Sequence, residues 1–298
     1  MVILVVSKVS IPDKDRTLPA WSYLRGLGYE IIVEHPGSVP TDRKVDAIIS
    51  MGVTVMEETF EAVRRFPGIL LGCFNWDCYE WVWTNPRPGE YDYKRYGELL
   101  RQAAIVWVPS FCTARRTEQW WPWTKGKCQT ILSACPWWDS DKVHDGGYAL
   151  CTLRHIPDPW DTKFEEACEA IRIPYLRTDH NLSRQEYEDA VAGCCFMVSH
   201  YYEASTGGLT LLEAYRLGKP CLINNSEWNG AKDYFGNRAR YFQAGDEQDF
   251  KVKLLGMHQN PPVLDVQECK TWIETNHNDF RMVDQMVESI KAELARSR

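Results

Sequence analysis

Residues Phe196–Asn225 read FMVSHYYEASTGGLTLLEAYRLGKPCLINN. Cys195–Ser199 is an apolar run of strand length. The next residues are more polar and close on Ser205-Thr206-Gly207-Gly208. Leu209–Leu217 has helical spacing and stops at Gly218. Pro220–Ile223 is apolar again. Strand, loop, helix and strand in that order make a parallel β-α-β unit. The glycine pair lets backbone approach a ligand closely. The helix behind it offers backbone N–H groups and the positive end of its dipole, which suits a phosphate. Glu213 lies about one turn into that helix.

The same alternation extends in both directions. Upstream, strands are predicted at Tyr148–Leu153 and Ile173–Leu176, with helices at Lys163–Ile171 and Ser183–Ala192. Ser183 and Glu186 form a capping-box pattern at the start of the latter helix. Downstream, Val266–Ala295 is mostly helical in pattern. In the first half, strands are predicted at Met1–Ser7, Glu30–Glu34, Ala47–Met51, Ile69–Phe74 and Ala104–Val108. Leu18–Leu27, Val55–Phe66 and Tyr91–Gln102 have helical character. Short, wholly apolar strands separated by helices imply parallel sheets covered on both faces. The pattern restarts after Asp145-Gly146-Gly147. The expected fold is therefore α/β, with two Rossmann-like doubly wound domains facing a cleft. Residues 1–143 would form the first domain and 144–275 the second. Residues 276–298 form a helix that could cross back to the first. Ligands of such sheets bind at the carboxyl ends of the strands.

Composition agrees with this picture and excludes others. A chain of 298 residues suits two domains. With 44% hydrophobic and 25% charged residues it is neither disordered, coiled coil nor collagen-like. No apolar run approaches the roughly 18 residues of a membrane helix. MVILVV has no charged lead or cleavage site and reads as a first strand. The 11 cysteines contain no C-x-x-C pair, which argues against a disulfide framework or zinc site and for a reducing cytosol. A net charge of -7 argues against a nucleic-acid partner. Of 13 tryptophans, nine fall between Trp76 and Trp138, interleaved with basic residues. Such a region is either a Trp-rich core or a stacking groove.

The segment from Ser199 resembles the donor-binding stretch of GT-B-fold glycosyltransferases, in particular the retaining family 4 group. The resemblance runs through Ser199–Ala204, then Gly208-Leu209-Thr210-Leu211-Leu212-Glu213-Ala214, then Gly218-Lys219-Pro220-Cys221-Leu222-Ile223. It implies that Glu213 holds the nucleotide ribose and that an earlier glutamate lies by the donor sugar. Glu203 and Glu213 stand ten residues apart, two more than the family's pair. Spacing back from Glu213 puts Ser205 in the first position, whereas the end of the preceding strand puts Glu203 there. The strand end favours Glu203. Ala149–Arg154 resembles the strand that ends in a phosphate-binding arginine, with Lys163 the nearest candidate for the accompanying lysine. Thr178–Ser183 resembles the loop against the base, which brings in His180 and Leu182. Asn225–Gly230 resembles the family's Gly-rich stretch, with a single glycine. In the first half, Ile69–Asp77 resembles a strand ending in a site residue, here Asp77. Ala104–Ser110, with Thr113, resembles a strand followed by Pro-Ser and a helix. The loop Ser7–Pro12 lacks the family's glycine pair, so the acceptor side is remodelled.

The resemblance implies a retaining glycosyltransferase that moves a sugar from a nucleoside-diphosphate sugar to an acceptor hydroxyl, with UDP favoured over GDP. No metal and no cofactor beyond the donor are expected. Arg154 and Lys163 would neutralise the departing diphosphate. Glu203 and Asp77 complete the catalytic set. Gly207, Gly208, Leu209, Glu213, His180 and Leu182 form the donor-binding set. Asp13-Lys14-Asp15 and Asp139-Ser140-Asp141 are D-x-D triplets that chance supplies readily. Trp76, Arg115 and Arg116 are acceptor-side candidates for a small molecule, a glycan or a modified DNA base. Two rival readings follow: transfer to hydroxymethylated bases of phage-type DNA, and non-catalytic binding of a nucleotide sugar.

Overall fold

The computed structural model describes residues 1–7, 21–34, 44–75, 92–135, 142–152, 160, 162–178, 182–202 and 208–296. Trp76, Asp77, Arg154, His180, Glu203, Ser205, Gly207 and both D-x-D triplets lie outside the described residues.

The first sheet contains β1 (Val2–Val6), β2 (Glu30–Glu34), β3 (Ala47–Ser50), β4 (Leu70–Phe74), β5 (Ile105–Val108) and β6 (Cys128–Thr130). Its order is β2-β1-β3-β4-β5-β6, parallel throughout. Helices α1 (Trp21–Gly26), α2 (Met56–Arg65), α3 (Tyr93–Gln102) and α4 (Phe111–Trp120) belong to this half. The second sheet contains β7 (Ala149–Thr152), β8 (Tyr175–Thr178), β9 (Phe196–Ser199), β10 (Cys221–Asn224) and β11 (Arg240–Phe242). Its order is β11-β10-β9-β7-β8, again parallel. With it go α5 (Lys163–Ile171), α6 (Arg184–Gly193), α7 (Leu209–Arg216), α8 (Ala231–Phe235), α9 (Glu247–Gln259) and α10 (Val266–Asn276). The last helix is α11 (Asp279–Arg296). Two compact units result: Met1–Ala134 with His277–Arg298, and Cys135–Asn276. Among the described residues no helix is long and apolar enough to cross a membrane.

The central strands form where their apolar runs predict them, because both faces are covered. β1, β3 and β10 are buried almost throughout. On the first sheet, Ile3, Val5, Ile49 and Trp107 pack with Met282, Val283, Met286, Val287 and Ile290 of α11. The spacing of those five residues puts them on one helical stripe. Gly72 on β4 has no side chain because the Trp107 indole lies against its α-carbon; a Cβ there would overlap the ring. On the second sheet, Phe164, Ala167 and Cys168 of α5 join Phe250, Leu254 and Met257 of α9 over β7 and β9.

One strand differs from its predicted place. The apolar run at 173–176 suggests a strand, but pairing starts at Tyr175 opposite Ala149. Arg172 caps α5 in the left-handed conformation, at φ 58°. Ile173 then turns into the core instead of extending the sheet. Pro174 has no N–H to donate, and its carbonyl accepts from Ala149 N at 2.9 Å.

At the entry to α11, a buried histidine and a half-buried aspartate have opposite effects on stability as pH changes. His277 is fully buried, and its Nδ1–H donates to the Ser133 carbonyl at 3.2 Å. Burial pushes its pKa from 6.5 down to about 4. Burial raises Asp279 from 3.8 to about 6. Between about pH 4 and 6.5 the unfolded chain protonates His277 more than the folded one, so acidification through that window destabilises the fold. Asp279 binds its proton more tightly when folded, so its stabilisation is lost as pH rises from about 4 to 6. The two effects offset. Asp279→Asn should remove the second and leave the first. Urea midpoints at pH 7, 5.5 and 4.5 should then fall more steeply on acidification in the variant than in the wild type. Equal slopes would refute the assignment.

Candidate active site

The second sheet has the flavodoxin-like order, in which the strand succession reverses between β7 and β9. The carboxyl ends of those strands are the expected ligand position. The polar groups there are tied to one another. Tyr201 OH donates to the Thr152 carbonyl at 2.9 Å. The Thr152 and Thr210 hydroxyl oxygens are 3.4 Å apart, which fastens the end of β7 to the first turn of α7. Asn224 Nδ2 donates to the His200 carbonyl at 2.9 Å, and Asn229 Nδ2 to the Tyr201 carbonyl at 3.1 Å. The Asn224 and Asn229 Oδ1 atoms accept from Ser226 N and Ala231 N, each at 3.0 Å. The predicted site stretch Asn225–Gly230 is thereby bound to the end of β9. His200 is fully buried, with Nδ1 3.3 Å from Cys151 Sγ. Burial pushes the Cys151 thiol far above its usual range, so it is a neutral packing group.

The start of α7 is set by Gly208. It is the N-cap, with φ 72° and ψ 82°, a left-handed turn. Its carbonyl accepts from Leu211 N and Leu212 N, at 2.8 and 3.2 Å. The N–H groups of Leu209 and Thr210 have no carbonyl inside the helix to reach, as in any first turn. Glu213 lies one turn on, only 3% exposed. Its Oε2 accepts from Tyr187 OH at 2.5 Å and its Oε1 from Arg184 Nη2 at 3.1 Å. Both donors stand on α6, whose start is fixed by the Ser183–Glu186 capping box. Leu182, half-buried, occupies the position just ahead of that cap.

Other predicted residues are placed differently. Lys163 Nζ sits 2.9 Å from Glu166 and 3.0 Å from Glu247. Those carboxylates raise its pKa, Glu166 foremost. A phosphate at Lys163 would have to compete with both. In the first unit Arg115 is exposed, but Arg116 is 9% exposed, with Nη1 3.3 Å from Gln119 Oε1. Trp107 and Trp121 are fully buried, and Trp121 stacks on Tyr93 at 5.2 Å. Trp123 is 38% exposed, with the Arg101 guanidinium 4.4 Å from its ring centre. The described part of the Trp-rich region is therefore largely core.

Sequence reasoning did not find Thr152, Tyr201, Asn224, Arg184 or Tyr187. Polar residues at the exits of otherwise apolar strands were the available signal for the first three. Nothing local ties α6 to Glu213.

No family profile and no curated protein matches the sequence. Solved structures do match it in shape. Sucrose-phosphate synthase from Thermosynechococcus elongatus aligns with a TM-score of 0.66 and 10% identity, over 99% of this chain and 100% of that one. HepE from Anabaena, in complex with UDP and glucose, gives 0.64 and 11% over 98% and 100%. This chain has the GT-B fold. A glycosyltransferase from Rickettsia africae gives 0.65 and 12% over 98% of each chain. At these identities the likeness is one of architecture.

Gly208→Ala is a direct probe of how the site is shaped. A methyl group there would meet Leu211 Cδ1 at 2.9 Å, in a backbone conformation that costs alanine about 1 to 3 kcal/mol. Calorimetry should show the melting temperature lowered by several degrees. An unchanged value would mean that the left-handed turn is not required.

Proposed function

We propose that this protein is a retaining glycosyltransferase that uses a nucleoside-diphosphate sugar, with UDP favoured over GDP and no metal in the reaction. One observation carries the reading. At the switch point of the second sheet, a left-handed glycine aims the first turn of α7 past the end of β7, with a buried glutamate one turn behind. That arrangement suits a diphosphate followed by a ribose. The neighbour HepE, solved with UDP-glucose, makes UDP the first nucleotide to try.

In the proposed chemistry the bond between the sugar's anomeric carbon and the diphosphate oxygen breaks. The acceptor oxygen bonds to the same face of that carbon. Its proton passes to the departing phosphate oxygen or to a carboxylate, Glu203 or Asp77. The growing charge on the diphosphate is met by the N–H groups at Leu209 and Thr210 and by Arg154, two residues beyond Thr152 in the chain. Lys163 would contribute only after exchanging a carboxylate for phosphate. The unit built around the first sheet would carry the acceptor. Transfer to modified DNA draws little support, because Arg116 is buried and the chain carries a net charge of -7. The ten described cysteines are free thiols, which suits a reducing cytosol.

A thermal-shift panel of nucleotides and nucleotide sugars should show UDP raising the melting temperature most. Glu213→Ala should weaken UDP binding about tenfold or more in calorimetry. Unchanged affinity would refute the ribose role. Arg154→Ala should lower turnover on the order of a hundredfold, with EDTA leaving wild-type activity intact. Donor binding without hydrolysis or transfer, over a broad acceptor panel, would favour a non-catalytic binder.

A further inference from the structure

Tyr187 and Arg184 are not part of the donor set read from the sequence, yet they are the groups that hold Glu213. They stand three residues apart on α6, on one face. The capping box fixes where that helix begins and so where both side chains emerge. Each donates to a different carboxylate oxygen of Glu213, Tyr187 at 2.5 Å and Arg184 at 3.1 Å. Arg184 is itself held: its Nε donates to Glu188 Oε1 at 2.6 Å, and its guanidinium carbon lies 5.4 Å from the Tyr187 ring centre. A glutamate's last torsion is broad and otherwise sets no plane for the carboxylate. One donor on each oxygen sets it. Burial, followed by the charge of Glu213, pushes the Tyr187 phenol well above its usual range, so the hydroxyl stays protonated and donates.

We infer that Tyr187 and Arg184 are positioning residues that orient the Glu213 carboxylate toward the ribose hydroxyls of the donor nucleotide. The inference rests on the reading of Glu213 as the ribose ligand. A carboxylate that receives these two donors is ionised and is an acceptor only. Each oxygen of a carboxylate can accept more than one hydrogen bond. The groups it suits are hydroxyl donors. The helix that orients it follows directly on Thr178–Ser183, the segment assigned to the base. Base and ribose recognition are thereby coupled through α6.

Calorimetry on the full chain with UDP and with 2′,3′-dideoxy-UDP tests this. The wild type should prefer UDP by about tenfold or more. Tyr187→Phe should lose most of that preference by weakening UDP, with affinity for the dideoxy compound unchanged. Arg184→Gln should do the same to a smaller degree. Tyr187→Phe combined with Glu213→Ala should be no weaker toward UDP than Glu213→Ala alone. A Tyr187→Phe variant that weakens both ligands equally has a merely structural lesion, which overturns the inference. So does one that keeps the preference while Glu213→Ala abolishes it, and in that case the ribose reading stands. If Glu213→Ala keeps the preference, the ribose reading fails and the inference with it. Should Tyr187→Phe lose its cooperative unfolding transition, Arg184→Gln decides, because its side chain is half exposed and tolerant.

Discussion

Direct parallel pairing of β7 with β9, Ala149 opposite Phe196 and Cys151 opposite Val198, is the constraint on which the candidate site depends. β8 comes between them in the chain but lies on the outer side of β7. The succession therefore steps one way and then the other. Right-handed crossovers then send α5 and α6 to opposite faces of the sheet. The observed packing follows: α5 lies with α9, while α6 and α10 lie with α7. In such an order the carboxyl ends of β7 and β9 mark the switch point of the sheet. The first turn of α7 stands at the end of β7, where Thr210 meets Thr152.

Strand ends that carry buried polar groups are stable only if those groups satisfy one another. Here they do. Tyr201, Asn224 and Asn229 bind backbone carbonyls and amides across three strand ends, and the Thr152 hydroxyl meets that of Thr210. Glu213 is the costliest member, a charge almost out of water. Two donors, one of them charged, offset its desolvation. Cutting one tie leaves the other partner exposed to the same penalty. The strand ends therefore hold a fixed shape before any ligand arrives.

Much of this was legible in the sequence, and the exceptions are physical. The inner strands of both sheets are continuous apolar runs, and Gly218 and the Ser183 cap mark helix ends without ambiguity. β6 and β11, three residues each, are too short and too exposed to carry a pattern. β8 was displaced by Ile173, whose apolar side chain serves the core and not the sheet. Tryptophan density left a core and a stacking groove both open; Trp107 lies over Gly72 and Trp121 over Gly97, in the core. A large ring accommodated by a distant glycine leaves no trace in local periodicity. The same holds for Tyr187 and Arg184, which meet Glu213 across 26 and 29 residues of chain.

The unit containing β1 is completed by α11, whereas the other unit is the unbroken segment Cys135–Asn276. During synthesis the two therefore become foldable in an unexpected order. The second unit can close as soon as residue 276 clears the ribosome. The first, although made earlier, must wait for residues 279–290 to cover Ile3, Val5, Ile49 and Trp107. Until those residues follow, β1 and β3 keep one face uncovered, an exposure that favours chaperone capture or aggregation. The second unit would thus mature ahead of the first.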